Sequence, residues 1–137
     1  MPTATPTSIR PLTGAILRRA TAAAELTAGQ AVYLAAAGAL PTTNTAADTA
    51  RARGIVVADG YGNTTFANGS RVDLVIHGPV GGYASLTPGA PLYTAADPGT
   101  LTHTAPTAPG SYLWPLGYAE TATVLIVQPG AGAAVAN

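Results

Sequence analysis

Laid over itself at an offset of 60 residues, the chain repeats. Leu26-Thr27-Ala28-Gly29-Gln30-Ala31-Val32-Tyr33-Leu34-Ala35-Ala36 falls on Leu86-Thr87-Pro88-Gly89-Ala90-Pro91-Leu92-Tyr93-Thr94-Ala95-Ala96. Each copy runs on to a turn glycine and a leucine, Gly38 and Leu40 in the first, Gly99 and Leu101 in the second. Each then reaches a Gly-apolar step, Gly54-Ile55-Val56 or Gly117-Tyr118-Ala119, and ends in an apolar strand over 72–76 or 124–127. Matches kept in order at near-constant spacing denote a tandem structural repeat, with repeat one over about 26–77 and repeat two over about 86–127.

One unit reads as a turn at Leu-Thr-x-Gly, a strand carrying an apolar residue and a tyrosine, and a second turn at Gly38 or Gly99. In Arg71-Val72-Asp73-Leu74-Val75-Ile76-His77 the apolar residues at 72, 74 and 76 alternate with 71, 73 and 77, as in a half-buried antiparallel strand. The stretch 44–54 has a helix-capping candidate in Asn44 and a closing glycine in Gly54. Its partner, 104–115, carries Pro106, Pro109 and Pro115 and cannot be a regular helix, so a loop with at most one helical turn is expected. The implied fold is all-β: a barrel- or sandwich-like domain over 15–130 whose two similar halves share one core. Residues 1–14, with Pro2, Pro6 and Pro11 among Thr and Ser, read as an extended N-terminal arm. Residues 131–137 read as a flexible Gly/Ala tail.

Much of the apolar content of this 137-residue chain is alanine, so the larger groups define the expected core. These are Ile16, Leu17, Leu26, Val32, Leu34, Ile55, Val56, Leu74, Ile76, Leu92, Leu113, Trp114, Leu116, Leu125 and Ile126. Charged residues are only 9%, all six basic ones are arginine, and the net charge is zero. A surface with so little charge does little to keep copies or partners apart, as expected where neighbours cover it. The absence of cysteine excludes disulfides and thiolate metal sites. No run of about 20 apolar residues exists to span a bilayer, and the first residues lack the pattern of a secretory signal, so use without membrane insertion is expected.

The inventory for chemistry is thin. His77 and His103 have no metal-binding spacing and read as surface or strand-end residues. Glu25, Asp48, Asp59, Asp73, Asp97 and Glu120 are scattered singly, and no nucleophile elbow, phosphate loop or dinucleotide fingerprint occurs. No catalytic residue, cofactor or metal is therefore assigned, and no enzyme is expected. Nucleic-acid binding would need a basic stripe. Only Arg10, Arg18 and Arg19 lie near one another in sequence, and contact with an acidic protein surface explains them as well. Tyr33, Tyr61, Tyr83, Tyr93, Tyr112, Tyr118 and Trp114 would supply a sugar-binding platform; Tyr33 and Tyr93, equivalent in the repeats, are expected at the rim of the core with wet hydroxyls.

The run from Leu26 through Gly54-Ile55-Val56, and Gly117-Tyr118-Ala119-Glu120-Thr121-Ala122-Thr123-Val124-Leu125-Ile126-Val127, resemble the small Ala/Gly/Thr-rich head-decoration, or capsid-cement, proteins of tailed bacteriophages. Related domains occur in head and tail fibres. The resemblance covers roughly 15–130 and implies a β domain, often a homotrimer, made in the host cytoplasm, that binds the major capsid protein on the virion surface and strengthens the shell. A receptor- or carbohydrate-binding fibre module is the alternative. The arm is not part of the resemblance. Pro2, Pro6, Ile9, Arg10, Pro11, Leu12, Arg18 and Arg19 are its expected contacts with shell or neighbouring subunit, where several weak patches gain avidity. Deleting 2–14 is then expected to weaken shell binding and leave the domain folded.

Overall fold

The computed structural model describes residues 5–59, 61–130 and 133–134. In chain order the elements are β1 (Thr5–Pro11), β2 (Ile16–Thr21), β3 (Leu26–Thr27), β4 (Ala31–Ala35), β5 (Gly38–Pro41) and a single helical turn, α1 (Ala47–Ala50). There follow β6 (Gly54–Val57), β7 (Thr65–Phe66) and the long β8 (Arg71–Ala84). The second half contributes β9 (Pro91–Thr94), β10 (Leu101–Thr102), β11 (Tyr112–Leu113), β12 (Pro115–Ala119), β13 (Val124–Val127) and β14 (Ala133–Ala134). The fold is all-β around one antiparallel sheet curled into a half-barrel, as the alternation and turn signals imply.

The spine is β8. Its first part pairs with β2 and β6, its second with β1 and β13. Two leaves hang from it: β6, β4 and β5 from the first repeat, and β13, β12, β9 and β10 from the second.

The sequence repeat is a structural one, with the same register in both leaves. Val32 lies opposite Gly54 and Leu92 opposite Gly117; Ile55 opposite Val75 and Tyr118 opposite Ile126; Val56 opposite Leu74 and Ala119 opposite Leu125. Turn bonds repeat too. Gly29 N–H donates to Val56 O and Gly89 N–H to Ala119 O, both at 2.7 Å. Gly54 and Gly117 are small for one shared reason: a Cβ would meet the carbonyl oxygen of Val75 in one copy and of Ile126 in the other. The repeat also reaches further back than its matched residues, because β2 runs along β8 as the second part of β8 runs along β13.

The hairpins differ. Leu40 lies opposite Tyr33, but Leu101 lies opposite Thr94, so these two leucines are not equivalent. The first hairpin turns over two residues, whereas the second carries the longer Asp97-Pro98-Gly99 connection.

The leaves put opposite faces on the shared interior. In the first, the face bearing Ala31, Ile55 and Val75 (face A) looks inward; in the second, the inward face bears Leu92, Ala119 and Leu125, equivalents of Val32, Val56 and Leu74 (face B). The exchange occurs within β8. Ile16 lies opposite His77 while Leu17 lies opposite Val75, leaving Ile76 as an extra residue on β8, and Gly78 follows at φ +104°. A bulge of this kind breaks the two-residue alternation, so Val75 before it and Val80 after it both point into the core.

Across that core, Gly99 seals the leaves: Ala31 N–H donates to Gly99 O (2.9 Å) and Gly99 N–H to Thr42 O (2.8 Å). Tyr83 fills the interior, and its hydroxyl donates to Gly29 O at 2.8 Å. A smaller second core lies on face B of the first leaf, where Ala22, Leu26 and Phe66 cover Val32, Ala39, Val56, Val72 and Leu74. Each large side chain so buried contributes about 1.5–3 kcal/mol.

Three expected core residues are in solvent instead: Ile16 is 53% exposed, Leu17 46% and Leu34 54%. Leu34 shares face B with Val32 but lies past the cover given by β3 and β7. Asn44 does not cap the helix; α1 starts after Ala46 without a side-chain cap. Residues 5–11, expected in a free arm, form β1 against β8, with Arg10 opposite Gly81 and Pro11 opposite Val80. Of the expected tail, β14 pairs with β11, and the rest lies outside the described residues.

Candidate docking surfaces

Alternation along a strand leaves one side chain in two outside the core, and in this low-charge chain many of those are apolar. The uncovered end of face B on the first leaf forms an apolar shelf. Tyr33, Leu34 and Ala35 from β4, Ile76 from β8 and Pro129 line a cleft of about 590 Å³ with Asp48, Arg51 and Arg53. Arg51 is paired to Asp48 at 3.5 Å, and the Arg53 guanidinium stacks over Trp114, 5.8 Å from the ring centroid. That stacking holds a cation at the cleft margin. Exposed Ile16 and Leu17 lie on β2 beside the bulge, opposite His77 and Val75, outside this cleft.

A second apolar face lies on the outside of the second leaf. One row crosses four strands: Pro91, Tyr118, Ile126 and Pro79, each opposite the next. Pro91 and Tyr118 are exposed, Tyr118 by 40%, and Ile126 and Pro79 are half-buried. Glu120, one residue past the end of β12, is exposed at its margin.

A third feature is the turn after β6. Asp59 Oδ1 accepts from Tyr61 N–H (2.8 Å) and Asn63 N–H (2.9 Å), and Oδ2 accepts from the Asn63 side-chain amide (2.8 Å). These bonds, led by that from the Asn63 side chain, hold the Asp59 carboxyl below its ordinary value. The clamped turn presents Tyr61 at 93% exposure.

The residues expected to make contacts are not brought together. Pro2 lies outside the described residues. Pro6 is opposite Tyr83 within β1. Ile9 is buried in the main core and cannot meet a partner. Arg10 is exposed, Pro11 is half-buried, and Leu12 covers Gly81. Arg18 is exposed opposite Leu74, and Arg19 pairs with Asp73 at 3.3 Å. Gly81 and Leu74 are seven residues apart on β8, so Arg10 stands about 20 Å from Arg18. Arg18 and Arg19, as strand neighbours, take opposite faces.

The aromatic residues form no single platform: Tyr83 is in the core, Tyr61 on a loop, Tyr118 on the outer face, and Tyr33 and Tyr93 are half-buried. His103 is not a surface residue. It is buried, Nε2 accepting from Thr87 N–H (3.0 Å) and Nδ1 meeting Pro91 O at 2.9 Å. Among the described residues no three His, Asp or Glu side chains gather where they could hold a metal ion, and no helix is long and apolar enough to cross a membrane. Leu34 and Pro91 were missed as surface features, and Tyr118 was named only as part of a sugar-binding platform; the repeat register is the signal that sets Pro91 and Tyr118 in one row. No protein-family model, curated protein or solved structure matches the chain.

Proposed function

We propose that this chain is a non-enzymatic structural protein of a tailed-bacteriophage virion, decorating the assembled capsid and stabilising it by docking on the shell surface. The observation that carries this reading is the arrangement of the exterior. Two apolar surfaces lie outside the core, the shelf around Leu34 and the row around Tyr118, and Ile16 and Leu17 add exposed apolar side chains on β2, on a chain with only 9% charged residues. Contiguous apolar faces on a folded chain mark protein contacts, and two of them let one molecule bridge neighbours. The resemblance of the repeat to capsid-cement proteins supplies the partner, the major capsid protein.

A fibre module that binds a receptor or glycan is the second reading, favoured by Tyr61 on its clamped turn. Rigid, exposed tyrosines suit recognition because little side-chain entropy is lost on contact. Heating undecorated heads with and without the protein tests the first reading: DNA release shifts to higher temperature when the protein is present. Unchanged release, with a glycan-array signal that Tyr61→Ala removes, favours the fibre module.

A further inference from the structure

We infer that the free edge of β2, over 16–19, takes an extended acidic segment of a partner protein as an added strand. It stands apart from the shell reading, since it concerns one strand edge and not the assembly that presents the segment.

The ground for it is the direction in which the backbone of β2 points. The Thr21 carbonyl faces Gly38, where a Cβ would clash with it, and Ala23 N–H donates to Ala39 O (2.9 Å), so residues 21 and 23 turn toward β5. Ala22 N–H donates instead to Ser70 O (2.8 Å), on the side of β8. The ladder steps one for one from Leu17 opposite Val75 to Thr21 opposite Arg71. Alternation therefore turns the N–H and C=O of Leu17 and Arg19 away from β8 as well. β5 meets the edge only near Thr21, where Ala22 lies beside Ala39, and among the described residues no strand pairs with the outer side of 16–19. Leu17 and Arg19 thus offer four backbone groups along an edge about 13 Å long, which is what an incoming strand bonds.

The side chains select the kind of strand. Successive residues of β2 take opposite faces, and both faces are open over 16–19: Ile16 and Leu17 are about half-exposed, and Arg18 and Arg19 are in solvent. Large apolar groups beside an unpaired edge make it a template for another chain. Arg18, Arg19 and exposed Arg71 face a single carboxylate on β2 and β8, Asp73, which Arg19 meets at 3.3 Å. An added strand gains most with acidic residues opposite the arginines and apolar ones opposite Ile16 and Leu17. The same charges turn away β2 of a second copy, because an antiparallel pairing about the middle of the strand sets arginine against arginine.

Titration of the isotope-labelled full chain with synthetic decapeptides, read by amide shifts and hydrogen exchange, tests it. A peptide with a central Val-Val-Glu-Glu-Val-Val run binds saturably and slows exchange of the Leu17 and Arg19 amides; the same peptide with lysine for glutamate does not. Methylating the glutamate peptide's backbone amides on alternate residues keeps its charge and lowers affinity about tenfold or more for one of the two alternations, the one that faces β2. Leu17→Pro, which removes an outward N–H and none paired to β8, loses binding. Arg18→Glu, at an exposed position, is the second variant should the first fold poorly, and it reverses the preference between the glutamate and lysine peptides. No saturable binding of the glutamate peptide, equal binding of the lysine peptide, or shifts that lie away from β2 would each overturn the inference. Methylated peptides that all bind like the parent would show charge attraction without an added strand and would overturn it equally. So would Leu17 and Arg19 amides that already exchange slowly in the free chain, which would show the edge covered.

Discussion

Thr27 and Thr87 present the same backbone N–H at the same point of the two turns, and unrelated side chains answer it. Gln30 Oε1 accepts from Thr27 N–H at 2.9 Å, in solvent; His103 Nε2 accepts from Thr87 N–H, from a buried position sixteen residues on. An unmet buried donor costs about 1–3 kcal/mol, whereas one near water is re-solvated. His103→Ala is therefore expected to destabilise the chain by about that amount and Gln30→Ala by less, measured by urea unfolding. Tyr83 carries a second test. Burial pushes its hydroxyl far above its ordinary value of 10.0, so it remains a donor to Gly29 when an unfolded tyrosine ionises. Its contribution is complete below that value and is lost as pH rises beyond it. The urea midpoint should fall above about pH 10, and Tyr83→Phe should flatten that fall while lowering stability at neutral pH by about 1–2 kcal/mol.

The two register-equivalent glycines carry the corresponding test among the elements. A Cβ at Gly54 would sit 2.9 Å from Val75 O, and one at Gly117 would sit closer still to Ile126 O. Both alanine variants should destabilise by about 1–3 kcal/mol, Gly117→Ala the more, in the same unfolding assay. The edge strand β1 gives another. Ile9→Ala leaves a cavity in the main core and should cost about 2–5 kcal/mol. Deleting 2–14 removes the strand paired to the second part of β8 and should lower stability as well as any binding, in place of the separate loss of binding expected from an arm. The strands themselves were legible, because Gly-apolar steps and period-2 runs depend on local chemistry. The pairing of β1 was not, since Pro and Thr suit an extended edge strand and a free extended segment alike. Nor was the buried role of His103, which depends on a contact sixteen residues away.

For the whole molecule, the repeat told that two like units share a core but not which of their faces meet. One extra residue in β8 reverses the inward side beside Ile16 and Leu17, while Leu34 is surface because β3 and β7 do not reach the end of β4. Alternation read through the bulge, rather than up to it, would have recovered the exterior rows. Those rows, together with the scarcity of charge, are the ground for the proposal that the chain docks on an assembled shell. The most direct test is co-sedimentation of the purified protein with assembled heads and, separately, with unassembled capsid subunits. The account predicts saturable pelleting with the heads alone; protein left in the supernatant at every concentration, with the heads intact, would contradict it.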